Sequence, residues 1–571
     1  MDLTSLQAVL AEWRGLLLPS RFEKAQQGSS HSLQIGLRHL RGMQWLELSW
    51  LAEAARVHAI APPPRQGEGS TLAQQLQHGL RGLALIAIEQ PGWERVVDLG
   101  FARRPGEAIE RRLVIELMGR HSNLFLLDGE GRVIALARQV KAGQSRLRPI
   151  GTGDLYQPPP AQAGARPSLT ESPASWRRQL SLLPLPLGRA LRDAYQGISP
   201  TLSAQLLPAD WLERPVQELT EAEWQQLWQR WRGWLLALEQ QRFGWQSEGE
   251  SYRCWLPAAE DGRGDQREPS GAAEPAVRAA GEGPPALPIN AGLAHYYGDR
   301  LERLELEAQR QQLQHQLQKL ATREQRLAAE QEQLLAATSG SDALQQQADA
   351  LLSQRQPSRS CIDAAQKLYR QARKLRRSVA LISPRLEQHR QHLQAIEASL
   401  TYVEQAADRD TLAAIRQELE ELLGRSTRPG RRQRRAAEQA QGIPQPLELH
   451  TAAGLTLQVG RNHRQNEWVA FRQARRGDLW FHAQEQPGSH VVLKSSEQPA
   501  AEADLQAAAD LAAHFSRGRA NGKVPVVMVP VEELQRIPGA APGTVRHRGG
   551  EVLWGEPDRA LSLLACGPQP R

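Results

Sequence analysis

Near the carboxyl end of this chain, "GRNHRQNEWV" from Gly460 and "HAQEQPGSHVV" from His482 concentrate side chains able to do chemistry: Arg461, Asn462, Gln465, Asn466, His482, Ser489 and His490, with His463 among them. An amide offers donor and acceptor in one group, and an imidazole can hydrogen-bond, move a proton or ligate a metal. On a strand scaffold, loops of this composition suit recognition of a polar ligand. Turn chemistry explains part of the same pattern, because Pro487-Gly488 fits a type II turn and Asn462 is a good turn residue. Catalysis asks for more. His482, Ser489 and His490 lack an orienting carboxylate at any obvious spacing, and the chain has no GxSxG, HExxH or Walker loop. The expectation is a protein that is not an enzyme, with no metal and no cofactor; a His482–His490 metal pair is the minor alternative.

A second constellation brackets residues 91 to 123, "PGWERVVDLGFARRPGEAIERRLVIELMGRHSN". This is a strand pair that opens on the adjacent charges Glu94 and Arg95 and closes on Arg120, His121, Ser122 and Asn123. Alternation along the strand puts Arg95 on the side of Val97 and Leu99, and Glu94 on the side of Val96 and Asp98, unless a bulge near Pro91-Gly92 re-aims them. A third is "KLYRQARKLRR", where Lys367, Arg370, Arg373, Lys374, Arg376 and Arg377 surround Leu368, Ala372 and Leu375. Such a helix is either a solvated face or a contact for a polyanion. "GRSTRPGRRQRR", residues 424 to 435, is a basic hinge with the same two readings.

These residues need elements to hold them. From 1 to about 165 a helix with Leu6, Val9, Leu10, Trp13 and Leu17 on one face precedes short strands, an α+β domain with an antiparallel sheet that ends at Pro158, Pro159 and Pro160. From about 170 to 255 the pattern is helical. "LGRALRDAYQGISPTLSAQLL" reads as two helices about a Gly197-Ile198-Ser199-Pro200 turn, with Ser199 as cap, and Trp224, Trp228, Trp231 and Trp234 recur at core spacing. Residues 256 to 288 hold little to bury and read as a disordered linker; the "RGD" inside it is a chance tripeptide. From 289 to 425, Leu306, Leu313, Leu320, Leu327 and Leu334 repeat every seven residues. Leu386, His389, Leu393, Ile396, Leu400 and Val403 answer them, giving a long antiparallel coiled-coil hairpin whose second arm Pro384 kinks or restarts. From 445 to 562 a second α+β domain is expected, including a hairpin that turns at Gly549-Gly550.

A chain of 571 residues with this alternation is α+β and multidomain. It carries 70 Lys and Arg against 63 Asp and Glu, a net +7 that mildly favours an anionic partner. The three cysteines form no paired motif, which fits a reducing compartment. "MDLTSLQAVLAEWRGLLLPSRFEK" lacks a basic n-region and a cleavage site, and no apolar run reaches 18 residues, so a soluble cytoplasmic protein with no membrane contact is expected.

"IEQPGWERVVDL" with "ELMGRHSN" resembles the N-terminal domain of the NFACT family, and "GRNHRQNEW" with "DLWFHAQEQPGSHVVLKSS" resembles its C-terminal RNA-binding domain. "GISPTLSAQLL" is similar to its helix-hairpin-helix segment and "AAQKLYRQARKLRR" to the start of its returning coiled-coil arm. The resemblance spans nearly the whole chain in the family's domain order. It implies a ribosome quality-control factor that binds a large ribosomal subunit, RNA and protein, obstructed by stalled peptidyl-tRNA. Such a factor recruits alanyl-tRNA and promotes untemplated alanine tailing of the stalled chain for degradation. It also implies roles for residues: tRNA binding at Glu94, Arg95, Arg120, His121 and Asn123, and ribosomal RNA binding at Arg461, Asn462, Gln465, Asn466, His482, Ser489 and His490. The basic arm would add Lys367, Arg370, Arg373, Lys374 and Arg377. Glu94 stands where the family's usual residue is Asp, and the family's "FDGL" opening is "MDLT" here, keeping Asp2 without the Gly. The family's older label implies a rival function, a surface fibronectin-binding adhesin.

Overall fold

The computed structural model describes residues 1–571 except 142, 144–147, 250, 258–286, 339, 354–355, 423–443 and 567–571. Most of the expected linker and all of the basic hinge therefore lie outside the described residues. The chain forms two compact units, 1–302 and 303–571.

In the first unit, α1 (Leu3–Leu17) starts where Asp2 Oδ1 accepts the Ser5 N–H at 2.8 Å. Its apolar face, Leu6, Val9, Leu10, Trp13 and Leu17, is wholly buried. It packs on a nine-stranded antiparallel sheet made of β1 (Ser20–Ser29), β2 (Ser32–His39), β3 (Gly42–Ser49), β4 (Arg56–Ile60), β5 (Ala84–Glu89), β6 (Val96–Ala102), β7 (Arg111–Glu116), β8 (Asn123–Leu127) and β9 (Val133–Leu136). The spatial order is β4-β3-β2-β1-β5-β6-β7-β8-β9. Alternation sorts one strand between two cores: Val97, Leu99 and Phe101 join the α1 side, while Val96 joins Val114, Phe125 and Ile150 on the other. α2 (Thr71–Leu80), capped by Ser70, also covers the α1 side.

Four helices follow: α3 (Pro173–Leu180), α4 (Leu187–Ala194), α5 (Pro200–Leu206) and α6 (Glu221–Glu239). As their spacing implies, Trp224, Trp231 and Trp234 are buried, and with Trp176 and Tyr195 they form one aromatic core that Trp228 borders. Between α4 and α5, Gly197 has φ +78°, and a Cβ there would come within 2.7 Å of Leu3. Ser199 caps α5 by accepting the Leu202 N–H at 3.0 Å. β10 (Phe243–Glu248) and β11 (Ser251–Trp255) form a hairpin from which Tyr252 and Cys254 complete the core beneath α1, with Ile289, Leu293 and Tyr297 from the first turns of α7 (Pro288–Ala337).

From Arg303 onward α7 belongs to the second unit, with α8 (Ser341–Leu352), α9 (Arg359–Gln405) and α10 (Arg409–Leu422). Leu313, Leu317 and Leu320 meet Ile396, Tyr402 and Val403, and Leu412, Ile415 and Leu419 of α10 close the seam. Further out the heptad loses its cover, and Leu334 is 52% exposed. α8 lies in the stretch that joins the two arms and is tied to α9 by the Arg376–Asp342 ion pair at 3.1 Å. α9 runs through Pro384 without ending, so of the two expectations, a kink or a restart, the restart does not occur. The missing proline N–H costs one i to i−4 bond, which a helix of 47 residues tolerates.

The last domain holds β12 (Leu447–His450), β13 (Thr456–Val459), α11 (His463–Trp468), β14 (Leu479–Ala483), β15 (Val491–Leu493), α12 (Glu502–His514), β16 (Val524–Pro530), β17 (Leu534–Arg536), β18 (Val545–His547), β19 (Glu551–Gly555) and α13 (Ala560–Cys566). Six strands form an antiparallel sheet in the order β12-β13-β15-β14-β16-β19. α12 packs on the face carrying Phe481, Val491, Leu493 and Val526, so closely that a Cβ at Gly555 would lie 2.3 Å from the Ala509 carbonyl oxygen. Trp480, Val492, Val527 and Val529 line the opposite face with Val469 and Ala470. The hairpin expected at Gly549-Gly550 is not one: β18 pairs with β17, and β19 with β16. No helix among the described residues is long and apolar enough to cross a membrane.

Candidate nucleic-acid interface

The polar residues of 461–466 begin a helix rather than fill a loop. Asn462 caps α11 by accepting the Gln465 N–H at 2.8 Å, and Gln465 returns its Oε1 to the Arg461 N–H at 2.9 Å. Asn466, 2% exposed, donates to the Tyr402 hydroxyl at 2.8 Å and accepts the His490 N–H at 3.0 Å, tying α9 to β15. Glu418 of α10 accepts the N–H groups of His463 and Arg464 at 3.0 and 3.3 Å. Burial pushes its carboxyl up to about 7, against the downward pull of Arg464 and these N–H bonds. Burial likewise lowers His463 to about 4, and its Nε2 sits 3.2 Å from the Ala395 carbonyl and 3.1 Å from Ser399 Oγ. Asn462, Gln465 and Asn466 thus spend these bonds within the protein, and Ser489 is wholly buried.

His482 and His490 are placed differently. Both line a cavity of about 640 Å³ walled by β14, the 484–488 turn, α9 and the 540–547 segment. Trp480 and His482, two apart on β14, share a face and stack with planes 10° apart and centroids at 5.5 Å. His490 stands edge-on to Trp480 at 5.1 Å and to His482 at 5.3 Å, and His547 closes the group at 6.0 Å from Trp480. Burial, seconded by neighbouring histidine for His490, lowers His482 to about 4 and His490 well below the usual imidazole range. At neutral pH these rings are uncharged, which suits stacking and hydrogen bonding rather than ion pairing. His490 Nδ1 and Trp480 Nε1 are buried without a hydrogen-bond partner.

In the first unit, the two ends of the 91–123 stretch meet at one end of the sheet, because Val96 pairs with Glu116 and Glu116 with Asn123. Glu94 and Arg95 precede β6 in a turn in which the Glu94 N–H reaches the Pro91 carbonyl at 3.4 Å and Gly92 has φ +58°, so strand alternation does not govern them. Glu94 Oε1 accepts the Gln162 N–H at 3.0 Å, and Arg95 reaches the Met1 carbonyl at a long 3.4 Å. Arg120 and His121 are exposed in a single turn, Nε to Nε2 at 3.0 Å. Asn123 is buried and holds both the N–H and the carbonyl of Arg138 at 2.9 and 2.8 Å.

On α9, Lys367, Arg370, Arg373, Lys374 and Arg377 are all exposed. None of the five has a carboxylate partner among the described residues, whereas Arg376 is paired with Asp342. Sequence reasoning missed three features. Trp480 and His547 complete the aromatic group. Arg517, Arg546 and Arg548 are exposed, the first bonded through its N–H to the lining residue Pro487 and the other two on either side of the lining residue His547 in sequence. Glu324 and His389, 2.7 Å apart, gather with His392 where the two arms meet. The two-residue spacing of Trp480 and His482 was a readable signal; the others depend on pairings distant in sequence.

The fold and site define an α+β protein of two units whose C-terminal sheet carries a polar, aromatic cavity. The model of the NFACT N-terminal and middle domains matches residues 2–360 and 354–437, and that of the NFACT protein RNA binding domain matches 447–549; the chain belongs to the NFACT family. It is 26% identical over 565 residues to the Rqc2 homolog RqcH of Bacillus subtilis (strain 168), covering 95% of each chain. It is also 26% identical over 583 residues to the Rqc2 homolog RqcH of Streptococcus pneumoniae serotype 2, covering 97% of each. Among solved structures, the C-terminal part of the fibronectin/fibrinogen-binding protein from Streptococcus suis matches at 28% identity and a TM-score of 0.38, over 45% of this chain and 98% of that one.

Proposed function

We propose that this protein is an RNA-binding factor of ribosome quality control. It binds large ribosomal subunits obstructed by peptidyl-tRNA, recruits alanyl-tRNA and promotes untemplated alanine addition to the stalled chain. The observation that carries this is the near end-to-end match to the RqcH proteins, with the family's RNA-binding domain at 447–549. On this reading the ribosome makes the peptide bonds, and the chain supplies recruitment and positioning. Its exposed, unpaired Lys367, Arg370, Arg373, Lys374 and Arg377 suit contact with phosphate.

At the sheet end, Glu94 acts as the brace, since it holds the 162 segment. Arg95, with most of its five donors uncommitted, contacts tRNA together with Arg120 and His121. Filter binding of the purified full chain to total tRNA tests this. Arg95→Ala is expected to weaken binding about tenfold with little change in melting temperature, and Glu94→Ala to lower the melting temperature with a smaller loss of binding. If both variants lost tRNA equally and melted like the wild type, the division of labour would be wrong.

A further inference from the structure

We infer that the cavity beside Trp480 receives a single nucleobase turned out of an unpaired RNA strand, while the arginines around its mouth take the flanking phosphates. This rests on the RNA-binding reading above and names what one part of that surface holds.

Three independent features converge. The first is shape and surface: the cavity is about 640 Å³ and is lined by the aromatic group of Trp480, His482, His490 and His547, in which the half-buried His482 and the exposed His547 can accept the π-face of a base. The second is unspent hydrogen bonding. His490 is 3% exposed and Trp480 2%, yet His490 Nδ1 and Trp480 Nε1 have no partner. A buried polar atom left unpaired is costly, and a heteroaromatic ligand with its own donors and acceptors relieves that cost.

The third is the arrangement of charge. The lining includes the carboxylates of Glu397 and Glu485 and no lysine or arginine, so a phosphate is unwelcome inside. Cations stand just outside instead. The Arg517 N–H bonds the carbonyl of Pro487, a lining residue, at 2.9 Å. Arg546 and Arg548 straddle His547, another lining residue. Arg517, Arg546 and Arg548 are exposed, with no ion pair among the described residues. A cavity without cations of its own, flanked by arginines, matches a base between its own phosphates. A base held in a duplex cannot enter without unpairing, which selects single strands, loops or ends.

The test uses the full chain and two fluorescent probes of equal charge: a single-stranded RNA decamer, and a decamer of the same ribose-phosphate backbone with every base replaced by hydrogen. The RNA is expected to bind roughly tenfold or more tightly than the baseless strand. His547→Ala, at an exposed position, should shrink that preference severalfold while leaving the baseless strand unchanged. His482→Ala, checked by thermal melt, should shrink it further. Arg517→Gln with Arg546→Gln should weaken both probes alike. Equal binding of the two probes by the wild type would overturn the base site and leave RNA binding standing. So would a preference that neither histidine variant reduces. Failure of both probes to bind would overturn the site and the RNA-binding reading together.

Discussion

Glu418 shows how much one buried carboxyl can weigh. It is 4% exposed at the amino end of α11, and burial raises it to about 7. Its pKa in the folded chain exceeds that of an unfolded glutamate, near 4.3, so its protonated form favours folding. The stability it contributes is fully present below about pH 4.3 and is lost as pH rises through 7, a swing on the order of 3 kcal/mol. His463 and His482, lowered to about 4, act with the opposite sign: their contribution is present above about 6.5 and lost as pH falls toward 4. Glu418→Gln isolates the first effect. Measured by urea denaturation, the stability of the variant relative to wild type should rise by about 2–3 kcal/mol between pH 5 and pH 8; a constant difference would show that Glu418 does not titrate in that window. Asn466→Ala should cost about 2–3 kcal/mol at neutral pH, because it strands the buried His490 N–H; a loss below about 0.5 kcal/mol would contradict the bracing role. The sequence displayed these amides and imidazoles but not their partners. Whether Asn466 faces a ligand or Tyr402 depends on a helix 64 residues upstream.

Among elements, periodicity was the most legible signal. The leucine heptads announced the two arms, and Leu313 and Leu320 are buried as their spacing requires. The heptad could not show where the arms lose cover, as at Leu334, because that depends on what faces each leucine rather than on the leucine itself. Punctuation misled once: Gly549-Gly550 looked like a hairpin turn although its flanking strands have other partners. The basic stripe of α9 belongs to this scale. Lys367, Arg370, Lys374 and Arg377 recur every three or four residues and so share a helical face. Their combined replacement by glutamine should flatten the log–log salt dependence of binding to ribosomal RNA by about 3, near 0.7–0.9 per lost phosphate contact. An unchanged slope would mark the stripe as a solvated face.

At the scale of the molecule, four parts were legible from composition and period, and the structure gathers them into two units. The N-terminal sheet and the helices after it share a unit, joined by contacts such as Trp234 Nε1 to Thr4 Oγ1 at 3.1 Å, which sequence patterning does not encode. The C-terminal sheet and the arms are likewise bound through Tyr402, Glu418, His463 and Asn466. A net charge of +7 is compatible with RNA but does not select it; the family match and the placement of unpaired cations do more. Whether this molecule attends obstructed large subunits is answered most directly by isolating the tagged full chain from cells and sequencing the RNA that comes with it. Large-subunit ribosomal RNA without small-subunit RNA, together with one dominant tRNA species, alanyl if the tail is alanine, is the expected result. Background RNA alone, or both subunits in equal measure, would contradict a role on the obstructed large subunit.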